Sequence, residues 1–409
     1  MKLTLAEIPL DRQVGEEATE ILRRCVHCGF CNAVCPTYAL LADELDGPRG
    51  RIYLIKAALE GQAVSEKTRL HLDRCLHCLA CEAGCPSGVR LGRLFDIGKA
   101  VVETRVPRRI GDAGQRAVLR ALLPRPGLFA PLLAMGRLLR PLLPGKLAAR
   151  IPRPQPAGLR PNGAHPRRML LLAGCVQPAL APNINAATAR VLDRLGIAAV
   201  EIDKAGCCGA LRQHLNDGEG ALDDARRNID AWWPEIERGA EAIVVTASGC
   251  GVQVRDYGHL LRYDPQYGEM AARVSALCRD PSEVLAAEGG RLQVLLASRE
   301  AKRGRLAFQS PCSLQHGLRL GGVVERLLVA SGFELTPVRD GQLCCGSAGT
   351  YSLLQPELSQ QLHAAKLAAL LAGQPEGIAT ANIGCLTHLQ NGCSIPVRHW
   401  IELIDEILK

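Results

Sequence analysis

The chain has 409 residues, 47% of them apolar and 22% charged, with a net charge of +8; that balance excludes wholesale disorder, collagen and low-complexity scaffolds. Aromatic residues make up only 3%, too few for the stacking platforms of a single-strand nucleic-acid reader. The basic excess is also local, because eleven Lys or Arg and no Asp or Glu fall between Ala113 and Arg168.

The N-terminus, MKLTLAEIPLDRQVGEE, lacks an apolar core of signal-peptide length and a twin arginine. No stretch reaches the ~18 uninterrupted apolar residues of a spanning helix. A cytoplasmic protein is expected, and in that reducing compartment its eighteen cysteines read as metal ligands or redox groups, not cross-links.

Composition separates residues 1–105, with eight cysteines, from residues 106–165, a basic Leu/Pro/Arg-rich connector without cysteine. Residues 166–409 hold the other ten. In the first region Cys25-x2-Cys28-x2-Cys31-x3-Cys35-Pro36 recurs as Cys75-x2-Cys78-x2-Cys81-x3-Cys85-Pro86. Such a run wraps three thiolates around one cubic cluster, and its fourth cysteine serves the other cluster. The spacing predicts two [4Fe–4S] clusters, one on Cys25, Cys28, Cys31 and Cys85, the other on Cys75, Cys78, Cys81 and Cys35. Zinc knuckles would instead present separated C-x2-C pairs. His27 and His77 share the slot between the first two ligands, as donors that tune a cluster or as plain loop residues. Ile52, Ile55 and Leu59 predict a helix behind a turn at Gly47-Pro48-Arg49-Gly50, so the clusters ride on a helical frame.

In the connector, Leu119, Leu122 and Leu123, then Leu132, Leu133, Leu138, Leu139, Leu142 and Leu143 stand among Arg116, Arg120, Arg125, Arg137 and Arg140. Prolines cut it into short helices and extended pieces. Basic amphipathic pieces of this kind lie on a membrane or dock on a partner.

The last region also repeats. Cys175-x31-Cys207-Cys208-Gly209 is matched by Cys312-x31-Cys344-Cys345-Gly346, and Cys250 by Cys385. Strands are predicted at 169–173, 198–202 and 242–246 in one half and at 306–309, 334–338 and 378–381 in the other. Helices such as 183–195 and 356–371 alternate with them, which argues for parallel βαβ units. The fold class is therefore α + α/β: a helical ferredoxin-like domain (1–105), the connector (106–165) and two pseudo-symmetric Cys-Cys-Gly modules (166–300 and 301–409). Cys175, Cys207, Cys208, Cys250, Cys312, Cys344, Cys345 and Cys385 all follow strands, where ligands of open α/β sheets gather. They form either a second candidate cofactor site or a set of buried structural cysteines in an α/β core. Cys278 and Cys393, outside the repeat, are expected to be buried small hydrophobes. No dinucleotide fingerprint, Walker loop, nucleophile elbow or zinc-protease helix is present. His214, His316, His363 and His388 read as structural, and no residue reads as catalytic.

The double cysteine run, Asp46-Gly-Pro-Arg-Gly-Arg-Ile52, the paired Cys-Cys-Gly modules, Asn228-Ile-Asp-Ala-Trp-Trp233 and Thr246-Ala-Ser-Gly-Cys-Gly251 resemble the iron–sulfur subunits of bacterial glycolate oxidases, nearly end to end. Wider kin are the small subunit of anaerobic glycerol-3-phosphate dehydrogenase, lactate-utilisation proteins and heterodisulfide reductases. The resemblance implies an electron-transfer subunit, without its own substrate turnover, of a flavin-dependent 2-hydroxy-acid dehydrogenase. Flavin-binding partner subunits would convert glycolate to glyoxylate, with D-lactate a further candidate substrate. This chain would pass the electrons on to a quinone or other acceptor, as a peripheral protein on the cytoplasmic face of the inner membrane. The kinship also implies a further cluster in the Cys-Cys-Gly modules. Heterodisulfide-reductase modules, however, end in C-x2-C, whereas Cys250 precedes Gly-Val-Gln253 and Cys385 precedes Leu-Thr-His388, so His388 is a substitute ligand to consider in one half. The alternatives are the equivalent subunit of a glycerol-3-phosphate or lactate dehydrogenase and, from another class, a zinc-stabilised interaction protein.

Overall fold

The structure is a computed structural model that describes residues 1–6, 10–145, 151–297 and 303–409; residues 146–150 of the connector lie outside this range. Two compact units interleave along the chain. The first comprises Met1–Ala117, Gln213–Asn216 and Gln342–Lys366, and the second comprises Val118–Arg212, Asp217–Gly341 and Leu367–Lys409. A linear partition does not capture this, because segments at or just after each Cys-Cys-Gly pair belong to the first unit.

Among its described residues the first unit is helical throughout. Its N-terminal part runs α1 (Arg12–Arg24), α2 (Phe30–Ala33), α3 (Pro36–Leu41), α4 (Pro48–Leu59), α5 (Glu66–Asp73), α6 (Ala80–Ala83), α7 (Leu91–Arg105) and the start of α8 (Ile110–Leu122). Each cysteine run is a loop that enters a one-turn helix, α2 or α6, with Pro36 opening α3 after the first run. Ile52, Ile55 and Leu59 of α4 pack with Leu94, Ile97 and Val101 of α7 in one core. The two helices approach closely because α7 carries Gly98, where a Cβ would stand 2.5 Å from Ile55 Cγ1. The stretch 47–50, expected as a turn, is mostly helix: Pro48 occupies the first turn of α4, with Gly47 as the preceding cap, as proline's fixed φ and missing N–H allow. Gly50 is required there, since a Cβ would lie 2.1 Å from the Glu44 carbonyl oxygen.

The second unit contains two four-stranded parallel sheets. One is built from β1 (Arg167–Leu171), β2 (Ile197–Glu201), β3 (Ile243–Val244) and β4 (Cys278–Arg279), in the order β2-β1-β3-β4. The other repeats that order as β6-β5-β7-β8, from β5 (Arg305–Gln309), β6 (Glu334–Leu335), β7 (Gly377–Thr380) and β8 (Val397–His399). The α + α/β class is thus what the structure shows. The fourth strand of each sheet is an addition to the sequence reading, being too short for a period-2 pattern to register.

The two modules meet where β3 and β7 end. The backbone N–H of Ser248 donates to the Ala381 carbonyl at 3.3 Å, that of Gly249 to Asn382 Oδ1 at 3.3 Å, and the Ser248 and Ser313 hydroxyls are 2.7 Å apart. Farther out, Arg190 grips Asp405 at 2.7 Å. The connector supplies α8 and α9 (Pro126–Leu139), and no residue of α9 is buried. Leu128, Leu132, Met135, Leu139 and Leu142 are exposed at i, i+4, i+7, i+11 and i+14, a single stripe on the helix and its continuation. Several of the connector's arginines are held by the protein. Arg116 is buried between Asp112 (3.0 Å) and Asp73 (3.3 Å), and Arg137 donates to the carbonyls of Pro152 and Ala179. No single described helix is long and apolar enough to cross a membrane.

Candidate functional site

The two cysteine runs build two adjoining cavities in the first unit, and each cavity mixes the runs. One is lined by Cys25, Cys28, Cys31 and Cys85, with Cys81 at its edge. The other is lined by Cys75, Cys78, Cys81 and Cys35. The backbone makes this possible by the same device twice. His27 and Gly29 in one run, and His77 and Leu79 in the other, adopt left-handed conformations (φ of 63°, 86°, 52° and 62°), which curl the chain so that successive thiols face inward. Backbone N–H groups also point at the sulfurs, from His77 to Cys75 Sγ at 3.4 Å and from Val89 to Cys85 Sγ at 3.5 Å. Such donors suit a thiolate ligand.

The thiols crowd one another in the same sets. Burial first, then Cys25, Cys85 and Cys28, push the Cys31 thiol up to about 11. Burial, then Cys78, Cys75 and Cys35, push Cys81 up as well. Thiolates set this close repel one another, so each set favours a positive centre between its sulfurs. Four sulfurs 2.3 Å from one zinc ion would stand about 3.8 Å apart. Among the described residues, three ligand atoms mutually within 4.8 Å occur only at Asp43, Asp46 and His71, where Asp46 is already paired with Arg51 and Arg74. The cysteine sets are spread for a larger group, and their donor chemistry fits [4Fe–4S] clusters.

The motif Asp46-Gly-Pro-Arg-Gly-Arg-Ile52 proves to line both cavities, with Pro48 and Arg51 on the second and Arg49 and Ile52 on the first. Asp46 is fully buried and bound by Arg74 (2.8 Å), His71 (3.2 Å) and Arg51 (3.5 Å). Arg51 also donates to Thr37 Oγ1 at 3.0 Å and to the His71 carbonyl at 2.9 Å, while Thr37 Oγ1 lies 3.3 Å from Cys35 Sγ. The two loop histidines differ. His27 meets Tyr53 edge-on, with ring centroids 4.5 Å apart. His77 lies against His214 (4.9 Å), with Asp96 at 3.8 Å from its Nδ1. Burial lowers His77 to about 4 and His214 to about 3, so both rings are neutral near pH 7.

In the second unit Cys175, Cys207, Cys208 and Cys250 are brought together at the ends of β1 and β3 and in the loop after β2. Cys207 takes hydrogen bonds from the Cys175 and Cys208 thiols, which lower it toward the thiolate, and Cys208 contacts Cys250 in turn. Asn228 secures this loop, donating to the Cys207 carbonyl at 2.8 Å and accepting from the Gly206 N–H at 2.8 Å. Tyr257 donates to the Cys208 carbonyl at 2.8 Å. Asn228 was visible only through the resembling motif, and nothing in the sequence marks Tyr257. Burial, then the Cys207 charge, raise Asp224 to about 6. Four clustered sulfurs with one stabilised as thiolate can hold a metal group or act as a redox centre.

Of the matching quartet, Cys312 and Cys385 lie in the second unit and Cys344 and Cys345 in the first. His388 sits one turn beyond Cys385 on the same helix. Cys278 is buried with its thiol pushed up to about 12 by burial, whereas Cys393, expected to be buried, is half exposed after that helix. The glycine of each Cys-Cys-Gly has a steric reason: Gly209 and Gly346 have φ of 91° and 88°, and a Cβ would stand 2.8 Å from the Ala221 carbonyl oxygen in one and 2.6 Å from that of Ser359 in the other. Gly346→Ala should therefore cost about 2–3 kcal/mol, read as a lower unfolding midpoint in denaturant. A loss under about 0.5 kcal/mol would mean that the loop relaxes freely.

Comparison with known proteins matches residues 24–89 to the 4Fe-4S dicluster domain family and residues 169–255 and 306–390 to the cysteine-rich domain family. The chain is 54% identical over 394 residues to the glycolate oxidase iron-sulfur subunit of Escherichia coli (strain K12), covering 96% of each. A Bacillus subtilis (strain 168) protein named "Probable glycolate oxidase iron-sulfur subunit" is 28% identical, with 91% of this chain and 89% of that one covered. Lactate utilization protein A of Geobacillus thermodenitrificans is 27% identical over 58% of this chain and 98% of its own length.

Proposed function

The chain belongs to the family of glycolate oxidase iron–sulfur subunits, and on that premise we propose that it is the electron-carrying subunit of a multi-subunit complex whose flavin-bearing partners oxidise glycolate to glyoxylate. The observation that carries this reading is the pair of adjoining cavities with crossed cysteine sets. Cys25, Cys28, Cys31 and Cys85 would hold one [4Fe–4S] cluster and Cys75, Cys78, Cys81 and Cys35 the other, and bound there these groups supply one-electron carriers. The chain's own residues fix the thiols by left-handed loop turns, aim amide donors at Cys75 and Cys85, and pack Cys25, Cys75, Cys81 and Cys85 against the α4–α7 core. The Cys175–Cys250 quartet is a further place for a cofactor on the same route. Co-expression with the partner subunits should give a brown complex that reduces a dye with glycolate, and Cys28→Ser should remove that activity. A colourless chain that retains stoichiometric zinc would overturn the reading. Similarity to a lactate utilization protein makes D-lactate the second substrate to assay.

We also assign the chain to the cytoplasmic face of the inner membrane, delivering electrons to a quinone. Support comes from the exposed Leu/Met stripe of α9 within a segment that holds eleven basic residues and no acidic one. Each basic residue near an anionic surface adds ~1 kcal/mol. The full chain should float with phosphatidylglycerol vesicles at low salt and be released as salt rises. If it ignores such vesicles at low salt, α9 is a protein-docking surface instead.

A further inference from the structure

The first unit holds a third cavity that none of the cysteine chemistry explains. It shares the wall formed by Cys75, Leu76, His77 and Phe95 with the cavity of the second cysteine set and spans roughly 480 Å³ when its open mouth and the solvent in it are counted. The far walls come from Lys99 on α7, Arg116 on α8, His214 and the segment Ala348–Leu354. Its composition is mixed. Leu76, Phe95 and Leu354 are apolar plates, whereas His77, His214 and Lys99 bring nitrogens. Lys99 Nζ spends one of its three donors on the His214 carbonyl at 3.3 Å. Asp73 and Arg116 are paired with each other at 3.3 Å, so they add a closed ion pair and no strong anion hole. Tyr351 donates to the Arg74 carbonyl at 3.1 Å and so braces the wall. Leu354 and Ala348 are half exposed at the rim. Nearby, Gln115 Nε2 of α8 donates to the Leu353 carbonyl at 3.4 Å, and Leu353 is exposed.

A small carboxylate would gain from Lys99 but face the Asp73 carboxylate and three apolar side chains. A planar neutral ring with two carbonyl oxygens uses all of these features, stacking on Phe95 and accepting from Lys99 and an imidazole N–H. We propose that this cavity binds the ring of a quinone, with its tail leaving past Leu354. The ring takes up two electrons, which glycolate oxidation on the partner subunits provides through this chain, and two protons from water at the mouth, and leaves as the quinol. The proposal rests on the quinone-acceptor reading above, and it adds the location.

The test uses the full-length cluster-loaded chain for binding and the assembled complex for turnover, with a decyl-tailed benzoquinone as the probe. Leu354→Trp fills the mouth, and Lys99→Met removes the donor at nearly constant volume; iron content and the visible spectrum report that each variant is loaded. Both should weaken equilibrium binding of the probe about tenfold and raise its KM in glycolate-driven reduction by a similar factor. If the wild type reduces the probe and both loaded variants bind and reduce it as the wild type does, the cavity is not the site, while the acceptor reading stands. If the wild-type complex passes electrons from glycolate to a dye but neither binds nor reduces the probe, the acceptor reading falls and the location with it.

Discussion

Cys35→Ser removes the centre built by Cys75, Cys78 and Cys81 and spares the one built by its sequence neighbours, so iron falls from about eight to about four per chain. Cys35 is buried at the start of α3 and lines the cavity of the second run. Cys31, four residues earlier, faces Cys25, Cys28 and Cys85. The chain separates them within one turn because α2 ends at Ala33 and Pro36 starts a new helix. A serine oxygen is a harder and weaker ligand than a thiolate, and a cubic cluster with three protein ligands is labile in air. The spectra of reduced Cys35→Ser and Cys75→Ser should coincide, and those of Cys35→Ser and Cys31→Ser should be complementary. Coincidence of Cys35→Ser with Cys31→Ser would mean that each run ligates a single cluster.

Much of this centre was legible because cluster ligation is written in local spacing. The crossed assignment needed only the knowledge that a turn at proline sends the fourth thiol elsewhere. The two modules were legible for a different reason. Their longer elements carry strong periodicity, so β1, β2, β5 and the helices at Asn183–Arg194 and Pro356–Leu371 fall within a few residues of their expected places. What failed to show was non-local. Nothing near Gln342–Lys366 marks it as part of the first unit, since membership is decided by packing. Arg116 looks in sequence like one more solvated arginine of a basic segment, yet its partner Asp73 lies 43 positions earlier. The turn expected at Gly47–Gly50 failed because glycine and proline there serve a helix start and a close backbone approach, two meanings the same letters share with a loop. Cys393 was expected to be buried by the habit of its residue type, and the end of a helix next to Gly392 left it half exposed.

Arg51→Met should have the second large effect, and on two observables at once. Arg51 is 1% exposed, lies over Phe95 at 5.9 Å and lines the cavity of Cys35, Cys75, Cys78 and Cys81. Burial pushes the Cys75 thiol up, and the Arg51 charge pulls against that. Removing the guanidinium leaves Thr37 and the His71 carbonyl without their donor and Asp46 with only Arg74 and His71, a break of a buried pair that costs about 3–5 kcal/mol. The low end is expected, because Arg74 remains at 2.8 Å from Asp46. The redox effect has a definite sign. With Asp46 held between Arg51 and Arg74 the group is net positive, and a positive charge favours the more negative, reduced state of a neighbouring centre. Its loss must therefore lower that centre's potential. A unit charge several Å away at an effective dielectric near 20 is worth about 2 kcal/mol, which corresponds to roughly 100 mV for one electron. Arg51→Lys separates the two effects: it keeps the charge but loses the planar fork, so the stability loss should persist while most of the potential is restored. If potentiometric titration gives the same value for wild type, Arg51→Lys and Arg51→Met, the arginine is a structural strut alone. If Arg51→Met shifts the potential of the Cys25–Cys28–Cys31–Cys85 centre more than that of the other, the assignment of Arg51 to the second cavity is wrong.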